Sequence, residues 1–216
     1  KTGLTIAYQQ RDYTNYSIAG LSDLDFSSIQ ISNNWNYKIN KRSSLGAELS
    51  YTQRDYDNRL AKDKAGTNLD ESNLSYDYYD LTLDYKFHPA RYTDVKLSYD
   101  FGYRKDNGGG YYNSRSHVAK VNTEYRLFKW AYLSSQLAYK NTSYLKQPDA
   151  KDVANDEELT SKDGYSLDIS YSQSLKKLTG YWIYAGASLQ LDKIGSDNKF
   201  YDYDRQRILF DFKGKF

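Results

Sequence analysis

An all-β chain of about ten antiparallel strands, running up and down, is predicted by three features of the sequence. Apolar and polar residues alternate with period two along nearly the whole length, as half-exposed strands require. The links between the alternating runs are by turns short and long, the rhythm of a meander with two unlike rims. No segment carries a helical period. The longest weakly charged stretch, 178–191, is broken by Thr, Gly, Ser and Gln, whereas a spanning helix needs about 20 mostly apolar residues.

The elements follow in order. Leu4, Ile6 and Tyr8 alternate with polar neighbours, then Ile29, Ile31, Trp35 and Tyr37, then Leu45, Ala47, Leu49 and Tyr51. Leu81, Leu83, Tyr85 and Phe87 form the next run, and Val95, Leu97, Tyr99, Phe101 and Tyr103 the one after it. The second half repeats the pattern through Val121 and Tyr125, Leu133 to Tyr139, Leu167 to Tyr171, Ile183 to Leu191, and Ile208 to Phe216. Short links fall at 40–43, 88–92, 128–130 and 176–180. Long polar links fall at 16–25, 60–72, 105–114 and 145–164, with a moderate one at 194–200. Ten strands place both ends of the chain on the short-turn rim. Strands of about 10 to 15 residues exceed the usual 5 to 6 of soluble sheets and suit a tilted membrane crossing of about 9 to 11 residues.

Composition narrows the class further. The 216 residues include 25 Tyr, no Cys and no Met, with 30 Lys+Arg against 28 Asp+Glu. A mean hydropathy of −0.88 would suit disorder, but disordered chains are poor in aromatics and this one is 17% aromatic. Without Cys there is no disulfide framework, thiolate catalysis or Cys-based metal site. The near-balanced charge provides no field for nucleic acid. Lys1 runs straight into a strand pattern rather than an apolar leader, as in a mature chain or one cut from something longer.

Alternation leaves open whether the apolar face looks at a core, as in a lipocalin-like soluble barrel, or outward at lipid. Aromatic residues lie near strand ends on that face: Trp35, Tyr37, Tyr85, Phe87, Tyr125, Tyr181 and Phe216 toward the short-turn rim, Tyr8, Tyr51 and Tyr139 toward the other. Tyr and Trp rings suit a membrane interface, having an apolar body and a polar edge. The face is also thin, with Ala47, Thr123, Ala131, Ser135, Ala185 and Ala187, where a close-packed core would need volume. Both observations favour lipid.

The chain closes on Ile208, Phe210, Phe212 and Phe216 in alternation. In this it resembles bacterial outer-membrane β-barrel proteins of the porin-like superfamily, whose last strand ends in Phe and is read by the barrel assembly machinery; Gly214 departs from the pattern, since a bulky residue is commoner there. The stretch Tyr201, Asp202, Tyr203, Asp204, Arg205, Gln206 and Arg207 weakly resembles the closing segment of exopolysaccharide-linked β-barrel porins and of surface-lipoprotein assembly barrels, families that usually have more strands. The expected fold is therefore an up-and-down antiparallel transmembrane β-barrel of about ten strands, residues 1–216 forming one domain, with short periplasmic turns and long extracellular loops, in the bacterial outer membrane.

The opposite face is then the lumen. It collects Glu48, Arg54, Asp80, Asp84, Lys86, Asp94, Lys96, Asp100 and Arg104 in the first half, and Lys120, Glu124, Arg126, Lys140, Asp168, Asp192, Arg207, Asp211 and Lys213 in the second. Acid and base are nearly equal and interleaved. Ten strands enclose a bore that side chains can nearly fill. The expectation is a lumen laced with salt bridges around a narrow wet path, serving as a small porin, an export conduit or a membrane anchor for a partner complex. Expected partners are outer-membrane lipid and lipopolysaccharide, the barrel assembly machinery and a periplasmic or surface protein, with no nucleic acid.

Catalysis finds little support, and neither cofactor nor metal is expected. His88 and His117 should lie at opposite ends, so no His pair assembles. His117 with a nearby Asp is the one arrangement that would suit an outer-membrane rim hydrolase. Ser116 and His117, adjacent on a strand, point to opposite faces. The run 107–110, Asn-Gly-Gly-Gly, lacks the Lys-Ser/Thr and the helix of a phosphate loop and reads as a flexible surface loop. The acidic residues of 149–163 lack EF-hand spacing and read as a solvated loop. Tyr111, Tyr112, Tyr201 and Tyr203 crowd the long-loop rim, where the alternative function is a surface binding module of adhesin or receptor type.

Overall fold

The computed structural model describes residues 1–12, 25–148, 159–176, 182–196 and 202–215. Its strands are β1 (Thr2–Arg11), β2 (Phe26–Asn40), β3 (Ser43–Lys62), β4 (Asn68–Ala90), β5 (Thr93–Asp106), β6 (Ser114–Phe128), β7 (Ala131–Pro148), β8 (Leu159–Ser174), β9 (Trp182–Ser196) and β10 (Tyr203–Lys215). They form one antiparallel sheet in chain order. The predicted count, order and direction are those observed. Among the described residues β1 pairs only with β2 and β10 only with β9, so the sheet is not closed.

Register sorts the side chains onto two faces. Asp84 stands opposite Ser98 and Ser98 opposite Lys120, and two residues along Thr82 stands opposite Asp100. Leu83 is opposite Tyr99 and Leu97 opposite Val121 on the other face. The polar face is the concave one: its small residues Ser28, Ser32, Ser50, Ser98 and Ser114 are buried, while Leu4, Ile29, Leu49, Leu83 and Leu137 on the opposite face are exposed. That inverts the soluble arrangement, in which apolar residues fill the interior. Nothing like a large apolar core exists among the described residues, whose buried hydrophobic cluster is Ala61, Leu74 and Tyr76.

Two links depart from expectation. The run 60–72 was expected to be a long polar loop, but β3 reaches Lys62 and β4 begins at Asn68, leaving a tight connection at the tip of a hairpin that rises above the other strands. Register shifts between Asp55 and Leu60 and between Leu60 and Lys62 mark irregular pairing in that hairpin. The second departure is 107–110, expected to be a flexible surface loop. Instead the Gly109 amide donates to the Lys62 carbonyl at 2.7 Å, and the Asn107 side-chain amide donates to the Asn73 carbonyl at 2.8 Å. The reason is steric: a Cβ at Gly108 would collide with the Lys62 backbone, and one at Gly109 with the Lys64 amide. The glycines provide close backbone approach rather than mobility. Gly109→Ala should therefore undock the hairpin tip from this link while leaving the sheet intact, read as faster amide hydrogen exchange at 62–66 and 107–110 and unchanged exchange in β5–β8.

Candidate functional site: a polar trough on the concave face

The charged residues predicted for the lumen all occupy one parity of the register. Glu48 and Arg54 lie on β3, Asp80, Asp84 and Lys86 on β4, and Lys96, Asp100 and Arg104 on β5. Lys120, Glu124 and Arg126 follow on β6, Lys140 on β7, Asp168 on β8, Asp192 on β9, and Arg207 and Asp211 on β10. They share the concave face because residues two apart on a strand point the same way, and unbroken register carries that parity across neighbouring strands.

Pairing is sparser than the interleaved charges suggest. Lys96 Nζ is 3.0 Å from Asp84, which also accepts from Ser98 Oγ at 2.7 Å. Asp100 accepts from Lys120 Nζ at 2.7 Å and from Thr82 Oγ1 at 2.8 Å. Asp192 is held by Arg205 Nε at 2.8 Å, a residue outside the predicted set, and Asp168 accepts from Gln190 at 2.8 Å. Arg126 rests over the Tyr132 ring at 5.4 Å. Lys86 faces Lys96 across β4 and β5, like charge against like.

Three cavities line the concave face end to end. One of 500 Å³ lies at the loop end beside Arg104 and Lys140, one of 720 Å³ at mid-height around Asp84 and Asp100, and one of 390 Å³ at the turn end around His88, Asp94 and Glu124. The first two share Asp80, Gly102 and Ser116, and the last two share Lys96, Asn122 and Gln136. They form a continuous polar trough along β4 to β8, from one rim to the other.

Above the trough sits a cluster not anticipated in the sequence. Tyr76 is buried in T-shaped contact with Tyr56 and Tyr112, at centroid distances of 5.7 and 6.0 Å. Arg104 lies 4.9 Å over the Tyr76 ring, and its Nε donates to the Tyr112 carbonyl at 2.9 Å. Asp106 is buried and accepts the amides of Gly110 and Tyr112 at 2.8 and 2.6 Å, which holds the β5–β6 link against the cluster. Burial pushes the Tyr76 phenol well above its usual range. Tyr112, predicted as a rim residue open to partners, is instead packed into this cap, and Tyr111 lies edge-on against it.

The convex face carries the described girdle residues. Trp35, Tyr37, Tyr85, Phe87, Phe210 and Phe212 are all on it, opposite the charges; Tyr181 and Phe216 lie outside the described residues, as does Tyr201. A second row comes nearer the loops: Tyr51 and Tyr79 are 5.3 Å apart, and Tyr139 and Tyr165 5.0 Å. Their hydroxyls reach upward, Tyr51 to Asp77 and Tyr139 to Asp163, each at 2.7 Å. Along β4, Tyr79 is separated from Tyr85 and Phe87 by about 20–26 Å at about 3.3 Å per residue, which at the usual strand tilt of about 35–45° is a height of about 14–21 Å, somewhat less than the apolar band of about 25 Å in outer-membrane barrels. Tyr79 and Tyr165 were not among the predicted girdle residues, although their parity with Leu81 and Leu167 assigns them to the same face.

Among the described residues no catalytic arrangement forms around the histidines. His117 lies on the convex face, where its Nδ1 is 2.7 Å from the Tyr99 hydroxyl and its ring is 5.2 Å from Phe101. The Asp neighbour that a rim hydrolase would need is not beside it among the described residues: Asn141 stands opposite His117, and Asp163 lies one strand further along the same row. His88 contacts Asp94 at the opposite rim.

No protein family recognised by sequence matches the chain, and no curated protein does. Solved structures do. A point mutant of the ferric enterobactin receptor PfeA from Pseudomonas aeruginosa superposes with a TM-score of 0.55 at 11% identity, over 89% of this chain and 31% of that one. The outer membrane transporter YddB from Escherichia coli matches with a TM-score of 0.44 at 10% identity, over 96% and 35%. The chain thus spans about a third of the length of either protein. At this identity the likeness to PfeA is one of fold, that of an outer-membrane barrel wall.

Proposed function

We propose that the chain is an integral outer-membrane β-barrel protein whose concave trough is a narrow, charge-lined conduit for small polar solutes. The observation that carries this reading is the continuity of the trough from rim to rim, with lipid-suited residues covering the opposite face. Outer-membrane lipid and lipopolysaccharide are its partners on that face, and the barrel assembly machinery reads its last strand. Unpaired backbone groups are costly in hydrocarbon, so in the bilayer the edges β1 and β10 must be hydrogen-bonded, to each other or to further strands.

The test uses the lack of native Cys. Ser98, buried at mid-trough, is changed to Cys, and the protein is reconstituted in planar bilayers. Unit conductance steps that fall by at least half on addition of a negatively charged methanethiosulfonate, in Ser98→Cys but not in the parent chain, are the expected result. Absence of steps, or steps indifferent to the reagent, would sink the conduit.

A further inference from the structure

The concave face does not treat its cations alike along its height. At mid-height Lys96 and Lys120 each have a carboxylate, Asp84 and Asp100. Toward the loop rim the cations rest on aromatic rings instead: Arg54 is 4.3 Å over Phe26, Arg59 is 5.2 Å over Tyr112, and Arg104 is 4.9 Å over Tyr76. Among the described residues none of these three arginines makes an ion pair. An aromatic face attracts a cation without cancelling its formal charge. The loop end of the trough therefore keeps a positive field, which a concave low-dielectric wall focuses.

The 500 Å³ cavity opens at this end, and its floor is built for entry. Gly102, Ser116 and Thr142 stand side by side on β5, β6 and β7. A Cβ at Gly102 would come 2.6 Å from Ser116 Oγ and 2.9 Å from Asp80, so the floor is low there because it is glycine. Arg104 flanks the floor, its guanidinium oriented by the Tyr112 carbonyl. Lys140, one row below, makes no hydrogen bond or ion pair among the described residues, and Lys162 lies 5.4 Å over the Tyr144 ring. Of the lining carboxylates, Asp192 is held by Arg205, and Asp163 by Tyr139 and Asn141. The partners of Asp163 are neutral and leave its charge in place, so among the described residues Arg104, Lys140 and Lys162 face two carboxylates that no cation neutralises, Asp163 and, at the lower edge, Asp80, and the lining keeps a positive surplus.

From this we infer that the cavity is a binding site for an oligoanionic solute, one carrying two or more carboxylate or phosphate groups, with Arg104 and Lys140 holding the charge and the Ser and Thr hydroxyls of the floor donating to its oxygens. Its volume lies within the about 300–1,000 Å³ of small-molecule sites. The inference needs only the polarity of the concave face and stands whether or not the trough conducts.

The experiment is calorimetric titration of the whole chain, folded in detergent micelles at low ionic strength, with tripolyphosphate in one arm and citrate in the other. Saturable binding of at least one probe is expected, weakened at least tenfold by Arg104→Gln and by Lys140→Gln, and unchanged by Lys41→Gln, which removes the same charge from the β2–β3 turn. The arm that binds more tightly distinguishes phosphate from carboxylate ligands. Should Arg104→Gln lose heat-modifiable migration, Lys140→Gln decides by itself, since its side chain supports no other group. No saturable binding of either probe, or an equal loss in Lys41→Gln, overturns the site. Conductance with no binding would remove the site and spare the conduit, and binding without conductance would do the reverse.

Discussion

Leu83→Arg is expected to cost about 2–4 kcal/mol of folding into a bilayer, the depth-dependent penalty for arginine on the lipid face of a barrel. Leu83 lies on the convex face of β4 between Tyr79 and the Tyr85–Phe87 pair, and is 45% exposed. Lipid would surround that exposed side chain in the membrane, so a charge placed there loses its hydration. Were the same sheet a water-soluble protein, Leu83 would face solvent, and arginine would change stability by no more than about 0.5 kcal/mol. Gln136→Arg supplies the internal comparison, because Gln136 is on the concave face opposite Asp168 and should tolerate the charge within about 1 kcal/mol. Urea titration of refolding into phosphatidylcholine vesicles, followed by heat-modifiable migration, measures both. Equal effects of the two substitutions would contradict the assignment of the faces.

Tyr76→Ala should remove about 3–5 kcal/mol from the cap, the range for truncating a buried aromatic residue. Its ring joins Tyr56, Tyr78 and Tyr112 and carries Arg104 on its face. The loss should stay local: the hairpin tip and the β5–β6 link depend on the cluster, whereas β5 to β8 are held by ladder hydrogen bonds and the mid-trough ion pairs. Limited proteolysis is the readout, with cleavage within 57–73 appearing in Tyr76→Ala while the heat-modifiable band persists. Tyr76→Phe keeps the ring contacts and should stay resistant. Cleavage no faster than in the parent chain would show that the cap does not rest on this ring.

Much of the fold was legible because strand alternation is a local property. Residues 81–87 and 95–103 announce their two faces without reference to any neighbour, and the concave-face parity of Asp80, Asp84, Lys96 and Asp100 follows from the same count. The cap is harder to read from the sequence. Tyr76 and Tyr78 have the parity of the charged residues, not that of Leu81 and Leu83, yet an abundance of Tyr invites assignment to the girdle. Counting parity at each Tyr separately would have set these two apart from Tyr79 and Tyr85. The glycines at 108 and 109 pose a related ambiguity: small residues signal either freedom or close approach, and only the position of Lys62 and Lys64 decides between them.

The sequence by itself determined the strand number, the up-and-down order, the two unlike rims and the chemistry of each face, because a period of two is written into consecutive residues. Tertiary structure alone decided which cations meet a carboxylate and which meet a ring, where Gly102 opens the floor of a cavity, how the β3–β4 hairpin docks on its neighbour, and that among the described residues β1 and β10 do not pair with each other. Those outcomes depend on register and curvature across strands far apart in the chain, and the same alternation is compatible with many registers. Charge can be counted from a sequence; whether it is cancelled is decided by the side chain that the neighbouring strand sets against it.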